Sequence, residues 1–271
     1  MASEVDWTFD GRWPYEARFF DSADGRLAYV DEGGTDAEPV VLLHGNPTWG
    51  YLYRRVIPPL VASGRRAIAV DHLGFGRSDK PNRAELYRVP AHATRLEELL
   101  ESLELQSATL VVHDWSGPIG LRWAVRHPER VARLLILNTF APRLPGPMGG
   151  RSATPAVRAP GLGSLLARRR DVLTEQFLFK AGLENEEGLV RAFQSKSVRV
   201  VWGMKDVLFG AEVLSLWQEL LPDARATRLD EAGHFVQEDA PEEVTAALLE
   251  LATEPAPGRA TRLRRSSELS S

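Results

Sequence analysis

The stretch Val111-Val112-His113-Asp114-Trp115-Ser116-Gly117-Pro118-Ile119-Gly120 constrains this chain more than any other. An apolar strand runs straight into a glycine-punctuated helix start, with one carboxylate at the corner. A strand-to-helix turn this sharp tolerates only small residues just beyond its apex, and Ser116 and Gly117 stand two and three places after Asp114. Asp114 is therefore read as the apex and as a nucleophile. Centring the turn on Ser116 would put Asp114 two places before it and Pro118 two after, where the turn wants glycine or another small residue.

Short continuous apolar runs, the pattern of strands buried on both faces of a parallel sheet, recur at 39–43, 67–70, 109–112 and 134–137, and 198–203 and 226–229 read as further strands. Helical spacing lies between or after them, as in Leu96, Leu99, Leu100 and Leu103, or Val244, Leu248 and Leu251. Leu52, Val56 and Leu60 outline another helix, which Pro58 and Pro59 must break or restart. Residues 26–31 alternate like a half-exposed strand and Gly33-Gly34-Thr35-Asp36 turns, so an N-terminal hairpin is expected. The alternation specifies an α/β fold with a doubly wound, mostly parallel sheet, in which ligands bind beyond the carboxyl ends of the strands. Asn46 and Asp114 both lie at such ends. Gly74 and Gly76 do not make a dinucleotide loop, because the third glycine is missing and Ser78-Asp79-Lys80-Pro81 follows instead of a helix.

A chain of 271 residues, 44% hydrophobic and 26% charged, has room for one main domain. That core is expected over 1–140 and 197–253. Residues 141–196 open with Pro142, Pro145, Pro147, Pro155 and Pro160, then turn helical, and read as a cap insertion over the strand ends. From 254 to 271 the chain reads as a solvated, disordered tail. A net charge of −4 without a basic stripe excludes a nucleic-acid partner. With no cysteine, and no pair at chelating spacing among six histidines, no metal is expected. The first twenty residues carry Glu4, Asp6, Asp10, Arg12 and Glu16 and are no secretory signal, and no stretch reaches membrane-spanning length. A soluble cytoplasmic protein with no membrane partner is the expectation.

Asp114, Asp206 and His234 each follow a predicted strand, in the order nucleophile, acid, base that marks the α/β-hydrolase fold. Singly, Asp206 reads as a turn or helix-capping residue and His234 as a structural histidine; the order gives them roles. A carboxylate is already ionised at neutral pH, so it attacks without a base, forms an ester, and needs the histidine only afterwards to activate water. Asp206 would hold the imidazole in its tautomer. Asn46 offers a backbone N–H and a side-chain amide, and Trp115 an indole N–H; in isolation they read as a turn asparagine and a core tryptophan. Together, two neutral donors fit an anion.

His44-Gly45-Asn46-Pro47-Thr48-Trp49, Asp71-His72-Leu73-Gly74-Phe75-Gly76-Arg77-Ser78-Asp79-Lys80-Pro81, the Asp114 block and Gly233-His234-Phe235 resemble the signature blocks of the haloalkane dehalogenases. The resemblance covers most of the chain outside the insertion and tail. With Asp206 as acid and Asn138 after the preceding strand, it points to the subgroup with an Asp-His-Asp triad and an Asn-Trp halide pair. It implies two-step hydrolysis of a small apolar halogenated substrate to alcohol, halide and proton, with no cofactor. Asn46 and Trp115 would bind halide, and their backbone N–H groups would form the oxyanion hole.

Three alternatives stand beside that reading. Epoxide hydrolases need phenols from the cap, whereas Tyr15, Tyr29, Tyr51, Tyr53 and Tyr87 all precede the insertion. β-Lactone decarboxylases resemble the same subgroup and could use the same triad. A weakly active or inactive hydrolase-like binding scaffold gains weight from the insertion. Only 92 residues (206 − 114) separate Asp114 from Asp206, short for a dehalogenase with a full cap. A shortened cap leaves the site open unless a second subunit of a homo-oligomer covers it.

Overall fold

A computed structural model of the chain describes residues 6–140 and 186–254. Most of the expected cap insertion and nearly all of the tail lie outside the described residues. The strands are β1 (Arg18–Ser22), β2 (Gly25–Glu32), β3 (Pro39–Leu43), β4 (Arg66–Val70), β5 (Ala108–Asp114), β6 (Val131–Thr139), β7 (Ser197–Gly203) and β8 (Arg225–Leu229). Among the described residues the helices are α1 (Ile57–Ala62), α2 (Val89–Ser102), α3 (Ser116–Arg126), α4 (Glu186–Phe193), α5 (Ala211–Leu220), α6 (Val236–Asp239) and α7 (Pro241–Thr253).

The sheet runs β1-β2-β4-β3-β5-β6-β7-β8. β2 is antiparallel to both its neighbours, and the pairs from β4 through to β8 are parallel. Every residue of β3, β5 and β6 is buried, as the apolar runs at their centres require of strands covered on both faces. Alternation then sorts side chains onto two layers. Val41, Leu43, Leu110, Val112, Leu134 and Ile136 pack with α2, α3, α4 and α5. Val40, Leu42, Val111, Leu135 and Leu137 pack with α1 and α7 on the other face. β4 lies on one side of β3 and β5 on the other, so winding reverses between the ends of β3 and β5. A crevice at such a reversal is where open α/β sheets bind ligands.

Two expectations are corrected. The N-terminal hairpin joins β1 to β2 through Ala23 and Asp24, not β2 to β3 through the Gly33 turn, since β4 separates β2 from β3. β1 went unread because Arg18, Phe19 and Asp21 are exposed, leaving no apolar rhythm to find. The end of the stretch assigned to the insertion is core: Leu189, Ala192 and Phe193 of α4 are buried in the layer that holds α3. The Pro58-Pro59 break is a restart, with one 3-10 turn at Gly50–Tyr53 and then α1 opening on its prolines.

Candidate active site

Asp114 ends β5 with φ of 52°, a left-handed conformation unusual for a side chain with a Cβ. Its neighbours hold the corner. Ser116, fully buried, accepts from the His113 N–H at 2.7 Å, and its hydroxyl proton faces the Leu43 and His113 carbonyls at 2.8 Å. Ser116 is thereby committed to joining the ends of β3 and β5. Thr139 donates its hydroxyl to the Asp114 carbonyl. Gly45 is required on the other side, because a Cβ there would overlap the Asp114 carboxylate.

The carboxylate, in a residue only 3% exposed, faces two groups. Its Oδ1 accepts the backbone N–H of Asn46 at 2.6 Å, and its Oδ2 lies 3.5 Å from His234 Nε2. The Asn46 N–H belongs to the same peptide as the Gly45 carbonyl, which accepts from Thr48 Oγ1 at 2.9 Å and from His44 Nδ1 at 2.8 Å. His44 must carry its proton on Nδ1, because its Nε2 accepts the His72 N–H at 2.9 Å. Donors on the carbonyl fix the peptide plane and polarise its N–H toward Asp114. Burial pulls the His44 imidazole down to about 4, so it stays neutral.

His234 Nδ1 lies 2.8 Å from Asp206 Oδ2. Burial pulls its imidazole down, but the nearby carboxylates of Asp114 and Asp206, the latter hydrogen-bonded to it, outweigh that and raise it to about 9. Asp206 itself is desolvated, yet its bonds hold it below its ordinary value. Oδ1 accepts the N–H groups of Leu208 at 2.7 Å and Phe209 at 3.1 Å, while Oδ2 takes His234 and Asn138 Nδ2 at 2.8 Å each. Gly203 lets the two loops meet, since a Cβ there would strike the Gly233 carbonyl. Trp115 is half-buried and stands edge-on to Phe140, ring centres 5.1 Å apart. Phe140, Phe209 and His234 continue that aromatic wall at 5.5 and 5.6 Å.

The structure thus brings together Asn46, Asp114, Trp115, Asp206 and His234. Sequence reasoning missed His44, His113 and Asn138 as supports. For His113 and Asn138 a signal was present, each being a polar residue inside an otherwise apolar buried strand. Elsewhere, Glu97, Glu101 and His127 bring ligand-type atoms within 4.8 Å of one another, but His127 and Arg126 already pair with Glu97 at 2.7 and 2.9 Å.

A strained aspartate at a strand-to-helix corner, a donor loop after β3, and an acid-held histidine at the end of a parallel sheet define an α/β-hydrolase. Residues 38–159 match the family model described as alpha/beta hydrolase fold. Haloalkane dehalogenase 2 of Mycobacterium bovis is 31% identical, over 91% of this chain and 98% of that protein. The chain belongs to the haloalkane dehalogenase family. A haloalkane dehalogenase of Mycobacterium marinum is 47% identical over 139 residues, 49% of this chain and 47% of that protein. The match thus spans about half the length of that relative and of others like it. A cis-3-alkyl-4-alkyloxetan-2-one decarboxylase of Shewanella oneidensis is 31% identical over 89% of each chain. Among solved structures, the tetrameric haloalkane dehalogenase DpaA from Paraglaciecola agarilytica is similar with a TM-score of 0.74 at 27% identity, covering 87% of this chain and 92% of that one.

Proposed function

We propose that this protein hydrolyses haloalkanes to alcohol, halide and a proton through an alkyl ester of Asp114. The observation that carries the reading is the division of labour between the two carboxylate oxygens. Oδ1 is held by the Asn46 N–H at 2.6 Å, whereas Oδ2 faces His234 at 3.5 Å. Oδ2 attacks the halogen-bearing carbon; the C–O bond forms as the carbon–halogen bond breaks, and halide leaves with the bonding pair. The Asn46 amide and the Trp115 indole stabilise the departing anion. In the ester, Oδ1 is the carbonyl oxygen and already sits on a donor, which becomes an oxyanion contact, with the Trp115 N–H as its partner, when water attacks.

His234 takes the proton from that water. Esterification helps it do so: once Asp114 is neutral, one of the two charges that raise the imidazole is gone, and it becomes a neutral base nearer physiological pH. Asp206 holds Nδ1 and stabilises the imidazolium that forms. The hydrolysis returns the carboxylate, releases the alcohol, and the proton passes to solvent. No cofactor enters.

Similarity to the Shewanella decarboxylase along nearly the whole chain favours one second reading, opening and decarboxylation of a β-lactone at the same carboxylate. An epoxide hydrolase is disfavoured, because all five tyrosines precede residue 141 and leave the insertion without a phenol, and those of Tyr53 and Tyr87 are spent on the Leu43 and Pro81 carbonyls. The test is a halide-release and acid-production screen on short bromoalkanes and iodoalkanes, with an aliphatic β-lactone alongside. Measurable but weak halide release is expected, and mass spectrometry of His234→Ala should find the alkyl group retained on Asp114. A folded protein that releases no halide overturns the reading, and olefin formation from the lactone replaces it.

A further inference from the structure

We propose that His113 is a positioning residue that fixes His234 against Asp114 by gripping the base's own backbone. The proposal rests on the reading of Asp114 and His234 given above. His113 Nε2 lies 2.9 Å from the carbonyl oxygen of His234, with ring centres 4.8 Å apart. A carbonyl only accepts, so His113 carries its proton on Nε2 and donates it. Asp206 meets the imidazole of His234 at Nδ1, and His113 meets its main chain. The base is thereby held at two points. Because His113 and Asp114 are consecutive on β5, the second point ties the histidine loop directly to the strand that carries the carboxylate, across 121 residues of sequence.

Packing alone does not explain a histidine here. It is fully buried and follows Leu110, Val111 and Val112 in an apolar strand. Its Nδ1 is buried with no hydrogen-bond partner among the described residues. An apolar side chain would fill the place without the unpartnered Nδ1, losing only the bond to the His234 carbonyl. What the imidazole adds is the Nε2–H. Burial, reinforced by the positive charge of His234, pulls it down to about 4, although Asp114 and Asp206 act the other way. The ring therefore stays a neutral donor and does not compete with His234 for protons. A slip of the base by about 1 Å costs a hydrolysis step far more than it costs a halide displacement that needs no base.

The test compares His113→Leu, which has no donor, with His113→Gln, which restores one; His113→Met is a second donor-free variant if the leucine protein does not fold. In rapid-quench kinetics with a short bromoalkane, the first equivalent of halide should leave at a rate within about twofold of the parent, while ester hydrolysis falls about tenfold in the leucine variant. Glutamine should recover most of that loss. Two nuclear magnetic resonance readouts need no turnover. In the unmodified protein, the nitrogen shifts of His113 should report a neutral ring protonated at Nε2. The His234 titration midpoint should fall in the leucine variant, as the contacts to Asp114 and Asp206 loosen, and return in the glutamine variant. A His113 protonated at Nδ1 overturns the proposal, as does a donor-free variant with unchanged hydrolysis and an unmoved His234 midpoint. If the unmodified protein releases no halide, the functional reading fails, and the two resonance readouts still decide the positioning role.

Discussion

The neighbouring strands β5 and β6 each carry a buried polar residue with positive φ at or next to the carboxyl end, Asp114 at 52° and Asn138 at 22°, yet the two do opposite work. His113 pairs with Leu137 but Asp114 pairs with Thr139, so Asn138 is the extra residue of a bulge. Bulges re-aim side chains. Asn138 turns to β7, giving Nδ2 to the Gly203 carbonyl at 3.1 Å and to Asp206 at 2.8 Å while its Oδ1 takes the Gly203 N–H at 2.8 Å. It is bonded on all sides. Asp114 keeps one oxygen facing His234 at a distance too long for a good hydrogen bond. Positive φ at a strand end thus marks stored strain in both cases, and the number of unspent bonds separates a reacting group from a brace.

The largest effect is expected from removing the unspent carboxylate. Asp114→Ala should lower halide release from a short bromoalkane by about 10⁴-fold or more, with the circular dichroism unchanged. Residual turnover near the parent's would move the chemistry elsewhere. Asp114→Asn, a neutral mimic of the ester, sharpens the same point. In the parent, His234 is raised from its ordinary 6.5 to about 9. A raised histidine stabilises the fold fully below 6.5 and loses that contribution as pH climbs through 9, an effect on the order of 3 kcal/mol. With one of two anions gone, the midpoint should drop by at least about one unit and the pH-dependent window of stability should narrow. Resonance titration and urea melts across pH 6 to about 10 check both.

Next in size is the brace. Asn138→Leu strands the Gly203 peptide and removes one donor from Asp206, which should cost about 1–3 kcal/mol of stability. Turnover should fall by about tenfold at saturating substrate, because Asp206 then holds His234 less firmly. A variant with parent-like turnover and an unmoved His234 titration would reduce Asn138 to packing.

How legible this contrast was in the sequence depends on which interactions are local. The Asp114 corner was readable because strand, apex and small followers are contiguous, and its partners because each follows its own strand. The bulge at Asn138 was not, since it exists only through pairing with β5. Nor was the grip of His113 on His234, which joins residues 121 apart. β1 became a strand only by pairing with β2. α4 was lost in the proline-rich stretch before it, although Leu189, Ala192 and Phe193 carry the helical spacing that buries one face. Local patterns announce elements; long-range bonds assign their tasks.

The smallest expected effect probes the seam between the two strand ends. Thr139 Oγ1 donates to the Asp114 carbonyl, and Trp217 Nε1 donates to the Thr139 carbonyl at 2.9 Å, so this residue links the strained apex to the layer behind β6. Thr139→Val keeps the β-branched shape and removes only the hydroxyl. The loss should be about 1 kcal/mol in a urea melt, the net value of one hydrogen bond. Halide release should change less than about threefold, because Asn46 still holds Oδ1 and His234 still faces Oδ2. A larger loss of rate than of stability would mean that the strain at Asp114 is maintained chiefly from the β6 side, and the two strand ends would then have to be treated as one unit.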